Sequence, residues 1–437
     1  MSAWIKVSTP GDFTEAVGRE GAQVEVAGVI AGMPMARLAP GVHVRGGRLM
    51  FGAKGLQLTR DNRLEGVAVE TAEHELAILN DPSQDTLGTL ELEDVRTVGQ
   101  VCLLADDRVR SGHVAVRALH VERADMRGRT RRPSGFGVEA MQGAFTLWNR
   151  QPDPSVSITA NLLDISAGSP EAPVRGSGVF VSGHDRGGAV SVDSLRTGEI
   201  HADGGIAPGT PDLISGGVFV VSGARVERVA NAGPVSTYGP NDMVLDNWGE
   251  VREWTALAAV RSEGPSAIGF VNFGDIERLD VRAPIETSGV GARGFNLYDG
   301  TLAHASFDSV TTTGDGAVGI QVARELPVIE LRGDLETTGG EGLSLVKGVQ
   351  TRLKAIALSV QPGGRVGRVE IGGRLATSGN DLVTLEVAGR LDELRVARGI
   401  VALGNGSDAV RTTSEIGGLH AIDIQAPNGR RVLAPGR

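Results

Sequence analysis

Short runs in which apolar and polar residues alternate follow one another along most of the chain. Examples are "GFNLYDG" at 294–300, "AVGIQVA" at 317–323 and "LVTLEVAG" at 382–389. Alternation with a period of two predicts β-strands, and the glycines that bound these runs predict turns. Helical spacing is not kept for more than about two turns in this part of the chain. The pattern therefore predicts an all-β protein built of many short strands.

The strands recur at a fixed interval. "GPNDMVLDNWGEVREW" at 239–254 and "GPSAIGFVNFGDIERL" at 264–279 share their Gly, Pro and Asn positions 25 residues apart. The markers "TSG" at 287–289 and "TTG" at 312–314 and 337–339 keep this interval, and the next "TSG" follows after 40 residues. A repeat of 20–30 residues made of strands is typical of a solenoid. Position n is then expected to lie about 4.8 Å below position n+25 in the next coil.

The N-terminal part of the chain adds a helix to this pattern. "STPGDFTEAV" at 8–17 predicts a short amphipathic helix with Thr9 as its N-cap and Pro10 in its first turn. "QVEVAGVIAG" and "GVHVRGGRLMFG" follow as short strands. In these features the chain resembles the pectate-lyase-like right-handed parallel β-helix superfamily. The resemblance implies one right-handed parallel β-helix domain over 1–437, with an N-terminal cap at 1–25 and a C-terminal cap at 425–437.

Residues 105–155 interrupt the repeat. This stretch is rich in charge, and five arginines lie between positions 123 and 132. We predict an irregular excursion from one coil, either as an exposed loop or as a contact between protomers.

Composition limits the functions to be considered. The formal net charge of -10 argues against a nucleic-acid partner, and the single cysteine excludes intramolecular disulfides and cysteine-based zinc sites. The sequence contains no apolar run of the roughly 20 residues that a membrane span needs. A signal peptide is not visible either, which favours a cytoplasmic protein without a membrane partner. The β-helix itself hosts many activities, so function has to be sought in individual residues.

The two quoted repeats differ at positions that carry chemistry. Asp242 and Asp246 in the first copy replace Ala267 and Val271 in the second, and Glu253 replaces Arg278. Paired carboxylates about 5–5.5 Å apart suit a retaining glycosidase, and about 6.5–9.5 Å an inverting one. We therefore predict that Asp242 or Asp246, together with Glu253, cleaves or transfers a glycosidic bond of an oligo- or polysaccharide without a metal or other cofactor.

Further residues are expected to shape the sugar site, because aromatic faces pack on sugar rings and polar groups hydrogen-bond to hydroxyls. Stacked asparagines at a corner also form structural ladders, and for Asn247, Asn272 and Asn296 the sequence favours this role over binding. The constellation is similar in kind to that of β-helical inulin fructotransferases, which implies Asp242 and Glu253 as the catalytic pair and a possible trimer. The predicted substrate contacts are Asn247, Trp248, Trp254, Arg293, Asn296, Tyr298, Asp299 and Lys347.

Two other classes of protein remain open. A non-catalytic β-helix used for binding or assembly would leave the deviating residues separate, without a cleft. A Ca²⁺-dependent polysaccharide lyase would use Arg293 or Lys347 as the base and nearby aspartates as metal ligands.

Overall fold

The structure, a computed structural model, describes residues 3–346 and 348–433. Parallel strands stacked coil upon coil make up most of these residues, and the only α-helix among them lies at the N-terminus. The predicted all-β parallel β-helix is therefore confirmed. Contacts divide the chain into two compact units, residues 1–132, 141–203 and 218–230, and residues 133–140, 204–217 and 231–437. The organisation as a single domain stays a prediction.

The N-terminal helix spans Pro10–Val17, as the sequence predicts. The Thr9 hydroxyl oxygen accepts a hydrogen bond from the backbone N–H of Asp12 at 3.2 Å, which satisfies one of the free donors of the first turn. Phe13 and Val17 are buried on one face of the helix. The predicted cap at 1–25 also contains strand residues, because Ile5–Val7 pairs in parallel with Gln23–Val26.

The first unit consists of parallel ladders whose strands become longer along the chain. Leu90, Val114, Ala160 and Val192 form one buried row across four successive long strands. The strands that begin in this unit are Ile5–Val7, Gln23–Val26, Val29–Met33, Ala36–Arg37, His43–Arg45, Arg48–Phe51, Leu56–Leu58, Arg63–Glu65, Ala68–Glu70, Leu76–Asn80, Thr86–Val98, Gln100–Ala105, Ser111–Arg123, Gly143–Asn149, Ser157–Ala167, Val174–Arg175, Ser177–Ser182, Ala189–Asp203 and Ala224–Asn231.

The second unit repeats a coil of three strands. In the order of the chain these are a buried strand, a longer strand and a strand of three residues. The strands that begin in this unit are Ser134–Gly135, Val138–Ala140, Leu213–Val220, Val235–Thr237, Asp242–Asn247, Glu250–Ala256, Val260–Ser262, Ile268–Asn272, Asp275–Val281, Ile285–Thr287, Arg293–Leu297, Thr301–Phe307, Val310–Thr312, Val318–Val322, Glu325–Leu331, Leu335–Thr337, Glu341–Val346, Val349–Lys354, Leu358–Val360, Arg365–Ile371, Leu375–Thr377, Val383–Val387, Arg390–Val396, Ile400–Ala402, Asp408–Thr412, Ile424–Gln425 and Val432–Leu433.

Paired residues in the neighbouring strands of the two quoted repeats are 25 positions apart, which is the interval of the sequence repeat. Asp246 pairs with Val271, and Glu253 pairs with Arg278. Leu245, Phe270 and Phe295 form a row of fully buried side chains along the inside of three coils. Apolar residues at this position face a neighbour of the same kind above and below, so each added coil extends one continuous core.

A hairpin explains the interval of 40 residues. Thr337 pairs with Thr377 as though the coil between them were complete. The additional residues form an antiparallel hairpin of Glu341–Val346 and Val349–Lys354, which belongs to neither parallel ladder. We call it the 341–354 hairpin.

The irregular excursion predicted for 105–155 is wrong over most of that range. Ser111–Arg123 and Gly143–Asn149 are ladder strands, and the second is buried along its whole length. The departure from the coil is confined to residues 124–142, which include the hairpin of Ser134–Gly135 and Val138–Ala140. We call this the 134–140 hairpin. The charged residues of this range suggested a loop, but long strands of a solenoid can carry charged residues on their outer face.

The arginines of residues 123–132 hold their own segment in place. Arg129 donates to the side-chain oxygen of Gln100 at 2.8 Å and to the carbonyl oxygen of His74 at 3.0 Å. Arg131 forms an ion pair with Asp106 at 2.8 Å. These bonds account for much of the positive charge within the first unit, so a contact between protomers is not needed to explain it.

The described residues end with two short strands. Ile424–Gln425 pairs with Ile400–Ala402, and Val432–Leu433 pairs with Asp408–Thr412. The predicted C-terminal cap at 425–437 thus begins within the ladder, and its last four residues lie outside the described part. Across the described residues, no helix is both long enough and apolar enough to cross a membrane.

Candidate functional site

Asp246 is a carboxyl group buried in an apolar surrounding. It lies near the end of the strand Asp242–Asn247, is 1% exposed, and has Val271 as its neighbour in the next coil. Its Oδ2 accepts a hydrogen bond from the indole N–H of Trp248 at 3.1 Å, whereas Oδ1 has no hydrogen-bond partner among the described residues. Burial raises the pKa of Asp246 well above its ordinary value of 3.8, and the bond from Trp248 offsets this only in part. Burial therefore favours the protonated, neutral form of this carboxyl group.

A cavity of about 60 Å³ lies against this carboxyl group. All of its lining residues belong to the second unit. We call it the Asp246 cavity. Apart from Asp246 its walls are largely apolar and aromatic, with side chains that include Met243, Ile268, Phe136, Phe273, Tyr298 and Leu345.

Aromatic rings form one wall of the cavity. Phe273 and Tyr298 stack with their centroids 5.1 Å apart and their planes 11° apart. Phe136 stacks on Phe273 at 4.5 Å and 25°, and it meets the Trp248 ring edge-on at 5.5 Å. Trp248, Phe273 and Tyr298 occur at equivalent positions of successive coils, whereas Phe136 reaches the stack from elsewhere in the chain. The Phe136 ring thus occupies a position in the stack that a ring of another molecule would fit.

The 134–140 hairpin brings Phe136 to this position. Phe136 and Gly137 form its turn with φ angles of 53° and 87°. The left-handed region is unusual for a bulky residue, and such conformations concentrate at functional sites. Gly135 allows the close approach, because a Cβ atom there would lie 3.0 Å from the Trp248 ring. The second strand of the hairpin, Val138–Ala140, is held by the parallel pairing of Glu139 with Leu213.

The 341–354 hairpin covers the cavity from the other direction. Leu345 and Gly348 line the cavity. The Ser344 hydroxyl donates to the carbonyl oxygen of Gly291 at 2.7 Å, and the Leu345 N–H donates to the Ser266 hydroxyl oxygen at 2.9 Å. Most other described side chains of this hairpin are exposed or half-exposed, and Leu343 is 52% exposed. The hairpin is therefore anchored at Ser344 and Leu345, while most of its other described side chains reach solvent.

Asp242, the first predicted catalytic carboxylate, is bonded within the fold. It is fully buried, and its Oδ2 accepts a hydrogen bond from the Gly239 N–H at 2.7 Å. Its Oδ1 accepts a hydrogen bond from the Ser215 hydroxyl. A buried carboxylate whose two oxygens accept hydrogen bonds from neighbouring turns fixes those turns, because loss of one acceptor leaves a buried donor unsatisfied.

Asp242→Asn is therefore expected to reduce the free energy of unfolding by roughly 1–3 kcal/mol. In the variant the amide NH₂ group would replace one of the two oxygens and would face a hydrogen-bond donor, either the Gly239 N–H or the Ser215 hydroxyl. Urea unfolding followed by far-ultraviolet circular dichroism measures this. The exposed Glu277→Gln on a neighbouring coil serves as the control and should change stability by less than about 0.5 kcal/mol. Equal stability of Asp242→Asn and wild type would contradict a structural role and favour a catalytic one.

Glu253 and Trp254 lie on a different strand from Asp246. Glu253 is exposed on Glu250–Ala256, which belongs to a different ladder from Asp242–Asn247. Trp254 is fully buried; its indole N–H donates to Asn231 at 2.8 Å and its ring meets Phe270 edge-on at 5.0 Å. The structure therefore does not bring Glu253 to Asp246, and Trp254 belongs to the core rather than to a sugar-stacking wall.

The asparagines have separate roles. Asn247 donates to the side-chain oxygen of Asn272 at 2.8 Å, and Asn272 donates to the carbonyl oxygen of Gly274 at 2.8 Å. These two bonds form the structural ladder that the sequence suggested. Asn296 is not its third member, because it pairs with Val271 and Leu297 occupies the ladder position.

The remaining predicted contacts are distributed over neighbouring coils. Tyr298 lines the cavity. Arg293 is 1% exposed on the strand Arg293–Leu297. Asp299 is half-exposed, and its Oδ1 accepts a hydrogen bond from Arg324 at 2.8 Å. Lys347 lies outside the described residues.

The sequence interpretation missed Phe136 and Phe273. The signal for Phe273 was its position, because aromatic residues at equivalent positions of three coils, Trp248, Phe273 and Tyr298, predict a stack. Phe136 lies in a segment interpreted as irregular, and its signal was an apolar ring followed by glycine within a charged stretch, "RRPSGFG".

The described residues contain no group of three or more His, Cys, Asp or Glu side chains that could hold a metal ion. The sequence matches no model of a protein family, and neither a curated protein nor a solved structure shows significant similarity to it.

Proposed function

We propose that the protein binds a small ring-containing molecule in the Asp246 cavity, with a sugar unit as the kind of ring expected from the sequence. The observation that carries this proposal is the buried carboxyl group of Asp246, whose Oδ1 has no hydrogen-bond partner among the described residues. Buried polar groups in folded proteins are almost always hydrogen-bonded. An oxygen or nitrogen atom of a ligand in the cavity is a suitable partner for this group.

The aromatic stack supports a ring as the other part of the ligand. Phe273 and Tyr298 present parallel faces, and Phe136 is 41% exposed although it stacks on Phe273. A ligand ring would take the place of the Phe136 ring, and sugar rings offer apolar faces for such packing.

Entry of a ligand requires movement of the covering hairpins. Sites for small molecules commonly have volumes of roughly 300–1,000 Å³, several times the volume of about 60 Å³ found here. The 341–354 hairpin is held by hydrogen bonds of Ser344 and Leu345, and the 134–140 hairpin ends in an exposed turn. We propose that the cavity is the closed form of the site.

Carbohydrate cleavage or transfer is the second candidate. A carboxyl group with a raised pKa is what general-acid catalysis requires, and this favours Asp246 as the acid. A glycosidase also needs a second carboxylate. Asp242 already accepts two hydrogen bonds, and Glu253 lies on another strand. The geometry therefore favours binding over catalysis, and the predicted trimer and polysaccharide partner stay predictions.

One experiment tests both candidates. The wild type and two variants, Phe136→Ala and Asp246→Val, are titrated by calorimetry against neutral sugars, acidic sugars, cyclic carboxylic acids and their amides. The same mixtures are examined for products by mass spectrometry. Asp246→Val places in this coil the residue that the next coil has at the same position, Val271, so the variant is expected to fold.

Binding by the wild type, strengthened several-fold in Phe136→Ala and weakened at least tenfold in Asp246→Val, is the expected result. A product formed by the wild type and absent with Asp246→Val would favour the catalytic candidate. A panel that binds equally to all three proteins, or to none of them, would refute a ligand site in this cavity.

A further inference from the structure

Arg293 carries a buried positive charge that has no counter-ion among the described residues. It is 1% exposed and is among the largest fully buried side chains of the protein. Its Nη1 donates to the carbonyl oxygen of Gly291 at 3.3 Å, while Nε and Nη2 have no hydrogen-bond partner among the described residues. A guanidinium group has five donors and stays charged in proteins. Buried charges are normally paired, so this arrangement points to an anion that is absent from the protein itself.

Asn296 lies three residues further along the same strand and is also unsatisfied. It is fully buried, and neither its Nδ2 nor its Oδ1 has a hydrogen-bond partner among the described residues. Asn247 and Asn272, by contrast, are hydrogen-bonded within their ladder. The amide of Asn296 is therefore not required by the repeat, and two buried side chains of one strand both have donors without a partner among the described residues.

Arg293 and Asn296 do not line the Asp246 cavity themselves, but they continue two rows of paired residues that begin there, at Met243 and Asp246. Arg293 follows Met243 and Ile268, and Asn296 follows Asp246 and Val271. Two coil spacings, about 10 Å, separate the strand of Asp246 from that of Arg293. The 341–354 hairpin reaches this strand as well, because Ser344 bonds to Gly291. One small molecule under the hairpin can therefore contact both Asp246 and Arg293.

We propose that Arg293 and Asn296 form the anion-binding part of the same site, and that its ligand is a ring-containing molecule with one carboxylate group. This inference rests on the proposed binding function. A guanidinium group binds a planar carboxylate through two parallel hydrogen bonds, and the Asn296 amide donates a further one. The ring of the ligand lies towards the aromatic stack of Phe273 and Tyr298.

The charges of the site agree with a monoanion. Burial raises the pKa of Asp246, which favours its neutral form and so reduces its repulsion of an anionic ligand. The net charge of -10 disfavours polyanions at long range, but one guanidinium group at the site attracts a single carboxylate at short range. A neutral ring would leave Arg293 without a partner.

The test compares ring carboxylates with their amides. Benzoate, cyclohexanecarboxylate and 4-hydroxybenzoate are titrated against the full-length protein at pH 7.5, with benzamide and cyclohexanecarboxamide as neutral counterparts. The variants are Arg293→Met and Asn296→Val, because Ile268, Val318 and Val271 show that apolar side chains fit at these positions in neighbouring coils. Arg261→Met, which removes an exposed arginine paired with Glu286, is the matched control.

At least tenfold tighter binding of a carboxylate than of its amide is expected for the wild type and for Arg261→Met. Arg293→Met is expected to lose this preference, and Asn296→Val to weaken carboxylate binding several-fold. Without ligand, Arg293→Met should unfold at a temperature no lower than wild type, since a buried charge has been removed. Unchanged carboxylate preference in Arg293→Met, or a sharp loss of its stability, would overturn the proposal.

The result also separates this inference from the binding function. Rings that bind the wild type, bind Asp246→Val poorly and bind Arg293→Met normally would support the Asp246 cavity as a ligand site while refuting the anion-binding role. Absence of binding by every carboxylate and amide would refute both.

Discussion

Trp254→Ala is expected to reduce the free energy of unfolding by about 3–5 kcal/mol, because a fully buried tryptophan leaves a large cavity in a core that cannot close around it. The ring meets Phe270 edge-on at 5.0 Å, and its N–H satisfies the buried side chain of Asn231. Truncation removes both contacts and leaves the Asn231 oxygen without this donor. Urea unfolding followed by circular dichroism should show a lower midpoint with an unchanged slope.

The control for this prediction lies on the same coil. Leu257 is 48% exposed, so Leu257→Ala should change stability by less than about 1 kcal/mol. Trp254→Leu, which installs the residue found at the equivalent position of the next coil, should retain part of the stability lost in Trp254→Ala. A Trp254→Ala variant as stable as wild type would mean that this side chain is not part of a rigid core, and a ligand-binding role would then be open again.

The contrast between Trp254 and Asp246 shows what the repeats can reveal. Both residues differ from their counterparts one coil away, so comparison of the copies marks them equally. Only the position within the coil separates them: Trp254 fills the interior, whereas Asp246 faces a cavity outside it. A difference between repeats therefore marks a position that departs from the repeat, but it does not identify a functional residue. A buried aromatic ring can differ from its counterpart for reasons of packing alone.

The fold could be predicted because its evidence is periodic. The interval of 25 residues fixes the register of Asp246 with Val271 and of Glu253 with Arg278 before any coordinates are known. Each coil is the template for the next, and a shift of one residue would place apolar side chains on the wrong face. The Thr9 N-cap could be predicted for a different reason, since a cap is a local hydrogen bond between residues three positions apart.

The candidate site could not be predicted as a whole because its cover is not periodic. Phe136 lies 110 positions before Asp246, and Leu345 lies 99 positions after it. Neither belongs to a parallel ladder of the coil, so the repeat contains no information on where these hairpins fold back. The proximity of Asp246 and Glu253 in the sequence was misleading for a related reason: the corner at Trp248 and Gly249 sends the two residues into different ladders.

The buried carboxyl group gives the stability of the protein a distinctive pH dependence. Because burial raises the pKa of Asp246 in the folded state, the folded protein binds this proton more tightly than the unfolded chain does. Stability from this group is complete below the ordinary carboxyl pKa of about 3.9 and is lost as the pH rises towards the raised pKa. Over that interval the loss is about 1.4 kcal/mol for each pH unit.

We therefore expect Asp246→Asn to be more stable than wild type at pH 8 and to lose this advantage steadily as the pH is lowered to 4.5. Asp280→Asn is the control with the opposite sign: burial alone would raise its pKa, but Arg332 and Arg282 hold the pKa of Asp280 below its ordinary value. The stabilising effect of Asp280 is thus present at neutral pH and is lost as the pH falls, so Asp280→Asn should be less stable than wild type at pH 8. Urea unfolding from pH 4.5 to 8 measures both differences. A difference between Asp246→Asn and wild type that does not change with pH would mean that Asp246 titrates like an exposed carboxylate, and the protonated hydrogen-bond donor on which the ligand site depends would be lost.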